Sequence, residues 1–222
     1  IDFDALLDQY PKGLMEVFNV ADMSTPIGFL NAEVFSLMLP IMFVVYAIGR
    51  GARLIGAEEE DGTMEVLATT PITRRALLVG KAGGLVTGVA ALGAVLWACT
   101  ILSSLLFGLN IGLLDSLNGV VATTLLGIEF GLISLAAGAA TGRRGLAVGI
   151  ASGLAGASYV LYVAGQLLDS LKPYRKLSPF YQAISGGPLA PSLPMMVVVM
   201  PVVGLALFAA SIPVFDRRDL LL

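Results

Sequence analysis

Residues 57–81 read AEEEDGTMEVLATTPITRRALLVGK, a charged island between two long apolar runs, and their reading decides the fold. The flanking runs are long enough to be membrane helices, which makes the island the polar hairpin that joins them. Glu58, Glu59, Glu60 and Asp61 end one helix or start the next, and Gly62 permits a break between them. Thr63 to Thr69 predicts an amphipathic turn or two, with Met64, Leu67 and Ala68 on one side and Glu65 on the other. Pro71 stops that turn because it lacks the N–H a continuing helix needs. Thr70 or Thr73 then offers an oxygen to cap the next helix. Arg74 and Arg75 fall in its first turn, where the helix dipole disfavours them but lipid phosphates at a membrane surface suit them.

Composition agrees. The chain has 222 residues, 57% of them hydrophobic and 13% charged, with a mean hydropathy of +0.89. Soluble domains carry about 25% charged residues, so a bilayer is the natural solvent for this one. A net charge of −3 does not favour nucleic acid. Histidine is absent, which removes His-based metal sites, His general bases and Ser-His-Asp triads together. Cys99, the single cysteine, can form no disulfide within the chain and is expected to pack as a small hydrophobe.

The expected fold is an all-α integral membrane protein, a single domain over residues 1–222 with five transmembrane helices. The spans are placed at 30–55, 76–107, 119–141, 145–169 and 192–215. Pro40 should bend the first, and Pro201 and Pro213 lie in the last. Residues 1–29 predict amphipathic external helices, with Phe3, Leu6, Leu7 and Tyr10, then Leu14, Met15 and Phe18, at helical spacing. Gly108 to Asn118 reads as a turn carrying Asp115. Residues 170–191 read as an external loop in which Pro179-Phe180-Tyr181 and Gly186-Gly187-Pro188 suggest short helices folded back into the interface. Arg50, Arg53, Arg74, Arg75, Lys81, Arg143, Arg144, Arg217 and Arg218 share one side, against Lys12, Lys172, Arg175 and Lys176 on the other. The richer side is expected to be cytoplasmic, which puts segment 57–75 and the chain's last residues in the cytoplasm and residue 1 outside.

Small residues let membrane helices approach closely. Gly80, Gly84 and Gly88, then Gly127 and Gly131, then Gly145, Gly149 and Gly153 therefore predict contacts among the second, third and fourth spans, although glycine is also simply common in such helices. Glu129 is an acid near the middle of a span. Insertion scales put the cost of an ionisable group there at about 2.5–3.5 kcal/mol, so it must face the bundle or a wet cavity, or be protonated. It belongs to a transport path or interface, or else it is a carboxyl satisfied by neighbouring hydroxyls. Tyr162 and Gln166 are further candidates for lining a path.

One run of residues resembles a known family. Acidic residues, Gly-Thr-x-Glu-x-Leu at 62–67, Pro-Ile-x-Arg at 71–74 and then Lys81 look like the cytoplasmic loop of ABC-2 type transporter permeases. The ending Phe215-Asp216-Arg217-Arg218-Asp219-Leu220 is similar to that family's cytoplasmic ending, and the likeness extends over nearly the whole chain. The resemblance implies six membrane helices, one of them before residue 1. It also implies a short coupling helix that docks on a separate ATP-binding subunit, here through Glu58, Glu60, Gly62, Glu65, Leu67, Pro71 and Arg74. The plainer alternative is a charged loop that only fixes topology. No G-x-x-x-x-G-K-[ST] occurs, and the nearest fragment, Gly80-Lys81-Ala82-Gly83, lacks both the earlier glycine and the hydroxyl. ATP and magnesium would thus be bound by the partner ATPase, with no cofactor in this chain.

What the resemblance implies overall is the non-catalytic permease subunit of an ATP-driven exporter in the plasma membrane. It would be paired with a second permease copy, identical or related, and surrounded by lipid. The alternative function is a stand-alone ion-coupled carrier or channel using Glu129. An intramembrane enzyme is disfavoured by the absence of H-E-x-x-H and of a G-x-S-x-G elbow.

Overall fold

Apolar runs bounded by charged or glycine-rich breaks become helices, because in a bilayer each backbone N–H and C=O must find a partner within its own segment. The computed structural model describes residues 28, 30–63, 72–109, 111–185, 187, 189 and 192–218. Five helices among these are long and apolar enough to cross a membrane: α1 (Leu30–Glu60), α2 (Arg74–Phe107), α3 (Leu113–Thr141), α4 (Arg144–Leu167) and α6 (Met195–Arg217). The short helix α5 (Pro179–Ile184) lies between α4 and α6. No strand occurs among the described residues, as expected for an all-α membrane protein.

The differences from expectation have local causes. The bend expected at Pro40 takes the form of a change of helix type. Leu30–Met38 winds as a π-helix, and the regular α-helix starts at Leu39. Proline donates no hydrogen bond and crowds the carbonyl one turn back, and a wider turn relieves both. Ser36 Oγ donates to Asn31 O, five residues earlier, at 2.7 Å. A second π-helical turn, Arg53–Ala57, precedes the last α-turn Glu58–Glu60. The turn expected over 108–118 ends at Gly112. Ser116 N donates to Gly112 O at 3.0 Å, and Asp115 enters the first turn of α3, where an acid complements the dipole. Residues 1–27 and 64–71, with the external amphipathic helices and the coupling turn expected there, lie outside the described residues.

Contacts group the chain into two compact units. The first takes Ile1–Met42, Gly93–Thr123 and Ala157–Val197. In it, Ser178 caps α5 by accepting from Tyr181 N and donates its hydroxyl to Ser158 O at 2.7 Å. Tyr159 meets Phe180 edge-on, with ring centres 5.2 Å apart. A short helix, α5, occurs at the first of the two expected positions; the second falls largely on residues outside the description. Lys172 pairs with Asp169 at 2.7 Å, and this bond holds the exposed Asp169 carboxyl below the usual range.

The second unit takes Phe43–Leu92, Thr124–Gly156 and Val198–Leu222. Here α3 is the buried element: the apolar stretch of α3 is 78% buried, that of α2 only 17%. A Cβ on Gly51 of α1 would collide with the Gly131 carbonyl of α3, and Ser134 Oγ donates to Ile48 O at 2.9 Å. Gly127 abuts Phe43, and Gly131 abuts Ala47 and Leu85. The close crossing therefore joins the first and third spans. This corrects the expectation for the other two glycine stripes: a Cβ on Gly80, Gly84, Gly88, Gly145, Gly149 or Gly153 would meet nothing within 4 Å. Period-four glycine marks a smooth face, but it does not say which neighbour uses it. In the first unit, Cys99 is exposed rather than packed, as are Val95, Leu102 and Leu105 along α2. In a bilayer an apolar side chain gains little by turning inward, so such a face needs no burial within the chain.

Candidate functional site at the base of the hairpin

Three consecutive glutamates end α1, and each engages a different helix. The Glu58 carboxylate pairs with Lys81 of α2. Glu59 takes the guanidinium of Arg218, just past the end of α6. Glu60 Oε1 accepts from the backbone N–H of Arg144 at 2.8 Å, which caps the first turn of α4. Consecutive residues on a helix point about 100° apart, so a triplet at the end of α1 can address three neighbours at once.

The bases answer from two sides. Arg74, at the start of α2, donates to the Arg218 carbonyl oxygen at 2.7 Å, and Arg75 pairs with Asp216. These two arginines therefore tie the start of α2 to the end of α6. Thr73 caps α2 by accepting from Ala76 N at 3.2 Å, which selects it from the two threonines expected to do so. Thr63 Oγ1 donates to Glu58 O at 3.2 Å. Gly62 adopts φ 69°, the left-handed conformation that lets the chain leave α1.

Burial sets the stakes. The Glu59 side chain is 0% exposed and that of Arg218 18%. Glu59 Oε2 and Arg218 Nε are buried without partners. Gly142, in the turn from α3 to α4, lies against this pair with φ 69°, and a Cβ there would collide with the guanidinium and sit 2.5 Å from Glu59 Oε2. Gly56 plays a similar part: its Cβ would lie 2.6 Å from Arg144 N. Both glycines are the room the ion pair and the cap need.

Of the coupling residues expected from the sequence, Glu58, Glu60, Gly62 and Arg74 converge on this cluster. Glu65, Leu67 and Pro71 lie outside the described residues. Glu59, Arg75, Gly142, Asp216 and Arg218 belong to the cluster as well. The signal for them in the sequence was faint, namely charge at the ends of apolar runs. Pairing partners up to 159 residues apart leave no spacing to read.

The expected path residues fall in different units. Glu129, 2% exposed, belongs to the second unit and packs against Gly204 of α6 with one carboxylate oxygen unpartnered. Tyr162 and Gln166 belong to the first. Tyr162 is 2% exposed and bonds Gln166, whose Oε1 accepts from Arg175 Nη1 at 2.6 Å. The Arg175 guanidinium also lies over the Tyr181 ring at 4.9 Å. This network ties the loop after α4 to the helix. Among the described residues no cluster of acidic or sulfur ligands fits a metal ion.

Comparison with known proteins gives one result. The family model described as "ABC-2 family transporter protein" matches residues 5–220. No curated protein and no solved structure matches the chain.

Proposed function

The chain belongs to the ABC-2 family of transporter proteins, and from that premise we propose that it couples ATP hydrolysis by a separate nucleotide-binding subunit to export of a substrate across the plasma membrane. Family membership carries the coarser statement: this is a multi-pass membrane protein of an ABC transporter, of a kind that associates with an ATP-binding subunit.

The observation that supports coupling is the glutamate triplet. The hairpin between α1 and α2 is tied at its base to α2, α4 and α6 through Glu58, Glu60 and Glu59. A push delivered to the hairpin therefore reaches four of the five long helices through direct polar contacts, and each displacement favours one packing over another. In this reading the hairpin lies in the cytoplasm. Met64, Val66 and Leu67 enter a groove on the ATPase and Glu65 meets a basic residue there. ATP and magnesium are held by that partner, a second permease copy completes the path, and Glu129 faces the path or the interface between copies.

The test is the double variant Glu65→Arg with Leu67→Asp, co-produced with the ATP-binding subunit. The expected result is normal membrane insertion with ATP hydrolysis no longer linked to transport. Intact coupling would overturn the role of the hairpin. A liposome assay of the purified chain alone separates this from a stand-alone carrier, since transport without any ATPase would favour the carrier.

A further inference from the structure

We infer that the end of α6, Asp216 to Arg218, is a strap that positions both legs of the α1–α2 hairpin, with Arg218 as its positioning residue. Its purpose rests on the permease reading; its geometry does not. On one leg, Arg218 holds Glu59 through its side chain. On the other leg, its carbonyl oxygen takes the Arg74 guanidinium at 2.7 Å, and Asp216 pairs with Arg75. One three-residue stretch thus grips the chain before and after the hairpin.

The grip is built for shape as well as charge. A salt bridge on an exposed surface holds little, because water competes for both partners. The Arg218–Glu59 pair is enclosed instead, and Gly142 leaves just the space it fills. The ion pair of Glu58 with Lys81 adds a further polar tie between the legs. With the strap, a load on the hairpin enters α6 together with α1 and α2, so the first and last of these spans move as one.

Hydrogen exchange of the full chain in lipid nanodiscs tests this. The reporting amides are Asp61 and Gly62 on the first leg, bonded to Ala57 O and Glu59 O, and Ala76 and Leu77 on the second, bonded to Thr73. In Arg218→Ala these are expected to exchange faster by about tenfold or more relative to amides of the α3 core, which report the loss of global stability. The charge-exchanged pair Glu59→Arg with Arg218→Glu should return them to within about threefold of the starting rates. A residue that merely stabilises the fold would instead speed exchange in α3 equally and gain nothing from the exchange of charges. Either of those results, or unaltered rates at all four amides, overturns the strap. Should the exchanged pair fail to insert, Asp216→Asn serves in its place: faster exchange confined to Ala76 and Leu77 supports the strap, and unaltered rates there overturn it. Adding the ATP-binding subunit to the same nanodiscs bears on the permease reading alone, since a failure to bind would leave the exchange result standing.

Discussion

The Arg218 guanidinium donates to the Glu59 carboxylate across 159 residues of chain, in a pocket that only a glycine at position 142 leaves open. Losing one partner of an enclosed ion pair strands the other charge, which costs about 3–5 kcal/mol, whereas replacing both by apolar side chains is often neutral. Arg218→Ala and Glu59→Ala should each lower stability by roughly that amount. The double replacement Glu59→Leu with Arg218→Met should recover most of it. Denaturant unfolding in mixed micelles checks this, and additive losses in the double variant would contradict it.

The two kinds of glycine should respond differently to a single methyl group. Gly51→Ala drives a Cβ into the Gly131 carbonyl and should cost about 1–3 kcal/mol. Gly84→Ala meets nothing within the chain and should be neutral or stabilise by up to about 1 kcal/mol through helix propensity. The same unfolding measurement on both variants decides it. Equal losses at the two positions would show that α2 uses its smooth face for packing within the chain.

Glu129 sits on α3 against Gly204 of α6, enclosed and with an unpartnered oxygen. Glu129→Gln preserves its shape and should change stability by no more than about 1 kcal/mol. Gly204→Val would press on the Glu129 Cα, which a Cβ at 204 already approaches to 3.1 Å, and should cost about 1–3 kcal/mol. If Glu129 lines the transport path, Glu129→Gln will alter transport while leaving stability and ATP hydrolysis in place. A transport assay run beside the unfolding curves separates the two roles.

Sequence made the helices legible because a bilayer enforces the rule that writes them: long apolar runs, broken where charge or glycine collects. It also located the hairpin, since Glu58–Asp61 and Arg74–Arg75 stand out against apolar flanks. It did not show which helix each glutamate would reach. Pairing across the bundle depends on helix rotation, and the π-helical turn at Arg53–Ala57 resets the rotation of Glu58, Glu59 and Glu60 just before they are used. Periodicity read on an ideal helix cannot anticipate that reset. Gly142 stands beside Arg143 and Arg144 in a polar break between apolar runs, but its task, making room for Arg218 and Glu59, involves residues distant in the chain. Glycine spacing identified Gly127 and Gly131 as packing positions and anticipated the contact of Gly131 with α2, through Leu85, but it missed their partner in α1. The α1 face that receives them, Phe43, Ala47 and Gly51, has the same four-residue spacing, but one glycine among three unlike residues does not stand out as a stripe.

The central claim is that the hairpin between α1 and α2 is gripped by an ATP-driven subunit on the cytoplasmic face. Its most direct test is site-specific cross-linking from Leu67→Cys, in a chain carrying Cys99→Ser so that the introduced thiol is the single one present. The account predicts a cross-link to the ATP-binding subunit in intact membranes, together with protection of the thiol from reagents that cannot enter the cell. Free reaction with such reagents from outside, or cross-links to lipid alone, would contradict it.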